Sequence, residues 1–181
     1  RSSRWESGSE NSSTAEPDPG GVKRLWAPWR MSYVGASKTP SGCVFCEALS
    51  GSDDRTSLVL ARRDRAFLIL NLFPYAPGHL MAVVNRHVGT LADAAPDEIA
   101  AAVELVTLAT RILAAEYRAE GFNVGLNQGR VAGAGIVDHL HMHIVPRWNG
   151  DTNFIPVMSD VRVIPEALEA TYDRLKGRLG G

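Results

Sequence analysis

Residues 139–145 read His-Leu-His-Met-His-Ile-Val. Strict alternation of this kind suits a β-strand with one face in the core and the other lined by imidazoles. On such a strand His139, His141 and His143 share a face, with neighbours about 6.6 Å apart, while Leu140, Met142 and Ile144 point into the core. Three adjacent imidazoles are poor packing material, so the pattern points to chemistry. An imidazole that donates one ring N–H to a carbonyl keeps a bare lone pair on the other nitrogen and can attack phosphorus. The middle ring, His141, is best placed for attack, with a neighbour holding the phosphate oxygens. The competing reading is a three-histidine metal centre, since histidines at i and i+2 of a strand can both ligate zinc.

The rest of the chain predicts one domain around this strand. Its 181 residues are enough for a single core. Leu58–Ala61 and Ala66–Asn71 read as short strands joined by a charged turn, and Pro74, Pro77 and Gly78 mark a turn before a strand over His79–Val84. Pro96, Asp97 and Glu98 start a helix. Ile99, Val103, Val106, Thr110, Leu113 and Tyr117 recur at helical spacing, with Gly121 as its stop. A strand over Phe122–Leu126, a glycine-rich loop, the histidine strand and a helix over Pro165–Arg178 complete the order. The expected class is α+β: a mainly antiparallel five-stranded sheet with a long helix and a C-terminal helix. Residues 1–21 are rich in Ser, Glu, Gly and Pro and are expected to form a disordered tail, leaving 22–181 as the domain. Trp26 and Trp29 are expected to anchor the following segment to the domain or to a second subunit.

Composition removes several classes of function. With a net charge of −1, no basic field draws the chain to a nucleic-acid polymer or an anionic membrane; Lys23, Arg24, Arg62, Arg63 and Arg65 read as solvated charges. The densest apolar run, Phe67–Phe73, is broken by Asn71 and falls far short of the roughly 20 residues that span a bilayer. With no apolar signal-peptide centre at the N-terminus, the expected location is cytoplasmic. The two cysteines, Cys43 and Cys46, cannot build a disulfide framework, which leaves metal, redox or neither. A thioredoxin-like role is disfavoured, because the pair does not lie between a strand and a helix of a βαβ unit. With two histidines from elsewhere the pair can make a Cys₂His₂ zinc site. No organic cofactor is expected.

Residues 125–135, Gly-Leu-Asn-Gln-Gly-Arg-Val-Ala-Gly-Ala-Gly, let main-chain amides approach phosphate oxygens. The loop is not a P-loop, since no Gly-Lys-Ser/Thr follows, and plain turn chemistry explains it as well. Asn149-Gly150 is a turn signal. Arg147 reads either as a polyphosphate contact or as a solvent-facing charge, and Trp148 and Phe154 as packing residues.

Taken together, the histidine run, Cys43-x-x-Cys46, Asn71 eight residues before His79, His87, Asn127, Ala132–Gly135 and Pro146–Asp151 resemble the histidine-triad (HIT) family of nucleotide hydrolases and transferases. The resemblance covers roughly residues 43–158, and the extended form is similar to the bacterial diadenosine-polyphosphate hydrolase and phosphorylase branch. It implies a HIT-like fold, a homodimer and a catalytic set of His139, His141 and His143, with a covalent nucleotidyl intermediate on His141. It also implies that His143 contacts the α-phosphate, that Asn71 and Asn127 lie near the ribose and phosphates, and that Gly133 and Gly135 belong to the nucleotide site. His79 either lines that pocket or is a hydrogen-bonded structural histidine. Relatives in the wider superfamily imply a structural zinc on Cys43, Cys46, His87 and His139. One departure stands out. Many HIT proteins have Gln-Ser or Gln-Thr before the triad, where this chain has Ala134-Gly135 and one extra residue, so main-chain amides, Gln128 or Arg130 must serve instead.

The expected activity is therefore cleavage of diadenosine polyphosphates, such as the tetraphosphate, or of related adenylylated nucleotides. Water and inorganic phosphate remain alternative acceptors. A nucleotide-binding regulatory protein with little turnover and a metal-dependent hydrolase are the competing readings.

Overall fold

The computed structural model describes residues 42–151 and 166–179. The expected tail over 1–21, Trp26, Trp29, Phe154 and the helix start at Pro165 lie outside the described residues. Within them, the period-two stretches become one five-stranded antiparallel sheet in the order β1-β2-β3-β5-β4. The strands are β1 (Val59–Arg62), β2 (Ala66–Leu70), β3 (Leu80–Val84), β4 (Gly121–Gly125) and β5 (His141–Arg147). Among the described residues three α-helices accompany them: α1 (Val44–Ser50), α2 (Pro96–Tyr117) and α3 (Leu168–Leu179). The α+β class is as expected. No described helix is long and apolar enough to cross a membrane.

The two faces of the sheet are covered differently. Leu60, Leu68, Leu70, Leu80, Ala82, Val84, Leu140 and Ile144 form one cluster with Leu105, Leu113, Tyr172 and Leu175 of α2 and α3. On the opposite face Val59, Phe67, Ile69, Met81 and Val83 pack with Phe45 and Ala48 of α1. All five residues of β2 and of β3 are buried, as expected for central strands covered on both sides. Each large apolar side chain so buried contributes about 1.5–3 kcal/mol. The register sets His143 opposite Met81 and His141 opposite Val83, which assigns both histidines to the α1 face.

Several local expectations shift. Helix α1 was absent from the sequence reading. Arg62, read there as a solvated charge, satisfies its C-terminal carbonyls, donating to Leu49 O, to Ala48 O at 2.9 Å and to Gly51 O at 3.0 Å. Helix α2 begins at Pro96 as expected, with Glu98 Oε2 accepting from the Ala95 amide at 2.8 Å. It ends earlier than Gly121, at Arg118 in the left-handed region. Its buried row is Ala102, Leu105, Ala109, Ile112 and Leu113, rotated from the apolar row read in the sequence, and Val103 is exposed. Two alanines in that row let the helix lie close to the sheet. Strand β5 starts at His141, so His139 precedes it. The chain beyond β3 leaves the sheet there: Leu140 accepts from the Val84 amide and donates to Val88 O at 2.7 Å.

Gly78 holds the turn that feeds β3. Its φ is +74°, and a Cβ there would lie 2.7 Å from Leu113 Cδ2. Gly78→Ala is expected to destabilise the fold by roughly 2–3 kcal/mol, combining left-handed strain with overpacking. Urea unfolding measures this, and a loss under about 0.5 kcal/mol would show that the turn and α2 give way freely.

Candidate active site

The main chain fixes the proton of each histidine on the α1 face. A carbonyl can only accept, so His141 Nδ1, 2.7 Å from His139 O, carries the hydrogen and Nε2 is left with its lone pair. Burial pushes the His141 imidazole below its ordinary value, partly opposed by that hydrogen bond, so the ring is neutral at pH 7. His141 is 4% exposed, with the His143 ring 5.0 Å away at 75°.

His143 is governed by a second chain of donors. The Tyr75 amide donates to His79 Nδ1 at 3.0 Å, so His79 carries its proton on Nε2. That nitrogen lies 3.0 Å from His143 Nδ1 and donates to it, which leaves the His143 proton on Nε2. His79 is 0% exposed, and the Asn71 amide lies against its ring. His79 is thus a buried histidine hydrogen-bonded to Tyr75 and His143. Asn71 Oδ1 accepts from the Phe73 amide at 3.0 Å, which orders the turn ahead of Tyr75.

The third histidine is oriented by a different carbonyl. His139 Nε2 donates to Val84 O at 2.7 Å, freeing Nδ1, which sits 3.2 Å from Cys43 Sγ and 3.6 Å from Cys46 Sγ. His87 Nδ1 is 3.3 Å from Cys46 Sγ. The ligand atoms of Cys43, Cys46, His87 and His139 all lie within 4.8 Å of one another. Two sulfurs and two imidazole nitrogens, one already oriented by a backbone acceptor, suit a four-coordinate zinc ion. Burial and the neighbouring Cys43 push the Cys46 thiol up; a bound cation favours the thiolate and reverses this. The three-histidine metal centre is not assembled among the described residues: the free nitrogen of His139 lies with the cysteine sulfurs, and the gathered ligand set is Cys43, Cys46, His87 and His139.

The glycine loop is more self-contained than expected. A 3-10 turn spans Arg130–Ala132, and the amides of Ala132, Gly133 and Ala134 bond to Gly129 O or Arg130 O. In this conformation the Gly133 amide is therefore spent within the turn rather than offered to a phosphate. Gly135 is exposed, and Asn127 is half-buried two residues past Gly125, which pairs with His143. The Gln128 side chain is anchored through Oε1, which accepts from the Leu91 amide at 2.9 Å. Arg147, read as a polyphosphate contact or a solvent-facing charge, binds Asp151 at 2.6 and 2.7 Å and Asn123 at 2.9 Å. The Trp148 indole donates to Tyr117 O at 2.9 Å, in keeping with a packing role. Sequence reasoning missed Phe45, whose ring packs against His139 and His141. The signal was the helical spacing of Phe45, Ala48 and Leu49.

An antiparallel sheet bearing two oriented imidazoles beside a thiol–imidazole cluster defines an α+β protein with a histidine-lined site on one face of the sheet. The chain belongs to the HIT family: the HIT domain matches residues 53–150. It is 40% identical over 158 residues to the AP-4-A phosphorylase of Mycobacterium tuberculosis, covering 83% of this chain and 80% of that one. It is 30% identical over 118 residues to the adenylylsulfatase HINT3 of Arabidopsis thaliana, covering 65% and 58%. Among solved structures, a zinc-bound histidine triad protein from Mycobacterium smegmatis superposes with a TM-score of 0.62 at 25% identity, covering 77% of this chain and 94% of that one.

Cys43→Ser is expected to lower zinc content well below one ion per chain and to cost roughly 2–5 kcal/mol of stability, in the range of losing a native cross-link. Metal analysis with thermal unfolding measures both. Stoichiometric zinc in the variant would remove the proposed site.

Proposed function

We propose that this enzyme cleaves diadenosine polyphosphates, or related adenylylated nucleotides, through a nucleotidyl intermediate on His141. The observation that carries the reading is the 2.7 Å bond from His141 Nδ1 to His139 O, which aims a neutral, bare Nε2 out of the ring. In the first step Nε2 bonds to the α-phosphorus, the bridging P–O bond breaks, and the leaving nucleotide takes the electron pair. His143, with its proton on Nε2, donates a hydrogen bond to the oxygens that gain charge. In the second step an acceptor oxygen bonds to phosphorus, the N–P bond breaks, and the pair returns to Nε2.

Inorganic phosphate is the favoured acceptor, in line with the named activity of the M. tuberculosis relative; water is the second reading. Asn71, Asn127 and Gly135 are the remaining nucleotide contacts we propose. The zinc held by Cys43, Cys46, His87 and His139 is structural, because four protein ligands leave no coordination position for substrate. We place the protein in the cytosol, where both thiols stay reduced. A homodimer is part of the reading: β4 lies at the end of the sheet order with Asn123, Val124 and Gly125 exposed, an edge open to a second copy.

Incubation with diadenosine tetraphosphate tests this directly, with products resolved by chromatography. ADP plus ATP formed only with phosphate is expected. AMP plus ATP without phosphate would make water the acceptor, and no product under either condition would favour a nucleotide-binding protein. His141→Ala is expected to lower turnover by at least about a thousandfold while nucleotide affinity is kept. A near-normal rate in that variant would end the covalent reading.

A further inference from the structure

Phe45 stands between the metal cluster and the attacking histidine. It lies between Cys43 and Cys46 in sequence and is 2% exposed. Its ring centroid is 5.3 Å from His139 at 75° and 5.0 Å from His141 at 54°. One side chain of the Cys-x-x-Cys segment thus walls both a metal ligand and the nucleophile.

We infer that Phe45 is a positioning residue for His141, through which an occupied Cys/His cluster holds the attacking ring in place. The inference rests on the reading of His141 as nucleophile. The torsion that turns an imidazole about its Cβ–Cγ bond is broad, and only one of its two flipped orientations puts Nδ1 on the His139 carbonyl. A single neutral hydrogen bond enforces that choice only modestly. The rest of the restraint is steric, from Phe45 on one side and the His143 ring on another. Phe45 is itself held by a helix of seven residues, too short to persist alone. Arg62 fastens that helix at its C-terminal end. Near its N-terminal end the cysteine sulfurs meet His139 and His87. A metal bound there ties the helix, hence the Phe45 ring, hence the orientation of His141.

Phe45→Leu keeps apolar bulk but removes the flat wall, and Phe45→Met supplies a second variant should leucine prevent folding. Each is compared with the wild-type zinc-loaded protein by zinc content, thermal unfolding, ¹⁵N spectra of the His141 ring, and kcat and KM for diadenosine tetraphosphate with phosphate. Zinc should stay at one per chain. The His141 spectrum should move from a single Nδ1–H form towards a mixture, and kcat should fall about tenfold with KM within about twofold. Chelation of wild-type zinc should shift the His141 spectrum in the same direction, and should add little in Phe45→Leu. A folded, zinc-loaded variant with wild-type spectrum and kcat, or with a change confined to KM, would overturn the inference. If His141→Ala retains turnover, the nucleophile reading falls, while the ring spectra still decide whether Phe45 holds His141.

Discussion

The carbonyl of His139 and Nδ1 of His141 are 2.7 Å apart, and much of the site follows from that one bond. A backbone oxygen has no proton to give, so with the ring in this orientation the chain itself sets the tautomer of His141. The same logic extends outward. Val84 O fixes His139, and the Tyr75 amide fixes His79, which in turn fixes His143. Each ring presents the nitrogen its surroundings require: a lone pair towards sulfur for His139, a bare lone pair on His141 Nε2, and a donor on His143. Preorganisation of this kind costs no rearrangement at the moment of reaction.

The sheet makes such an arrangement affordable by keeping its two faces distinct. α2 and α3 cover one side with aliphatic side chains and a row of small residues. On the other side the α1 cluster covers β1, β2 and β3 and stops at the histidines. Strand β5, interior in the sheet order, sends Ile144 into the first cluster, as Leu140 just before it does, and His141 and His143 towards the second face. A one-residue slip of register would exchange these sets. Pairing on both edges of β5 prevents it, with β3 on one side and β4 on the other.

Much of this was legible in the sequence because it was written as periodicity. The alternation from His139 to Val145 gave the strand and the inward residues, and Pro96 with Glu98 gave the start of α2. The four metal-site residues were identified only through resemblance, and the structure gathers them. What stayed hidden was written in three dimensions. That His139 precedes β5 depends on the chain after β3 turning away towards His87. Which nitrogen of His79 carries the proton depends on a main-chain amide four residues earlier, which no side-chain pattern encodes. Arg62 looked like a surface charge because its acceptors are carbonyls of a helix that was not foreseen. The loop amides looked free because glycines signal permissive backbone without saying where the hydrogen bonds go.

The attachment of α1 has a mechanical consequence. Its C-terminal carbonyls are gripped by a guanidinium from β1, a contact made entirely of protein, whereas its opposite end meets the fold through groups whose bonding depends on a metal. The two ends of this short rod therefore answer to different conditions. Loss of the ion would leave the rod held by that guanidinium and by the packing of Phe45 and Ala48 on the sheet. Metal exchange then becomes a reversible local event, in which the segment is kept near its ligands and rebinding need not await refolding.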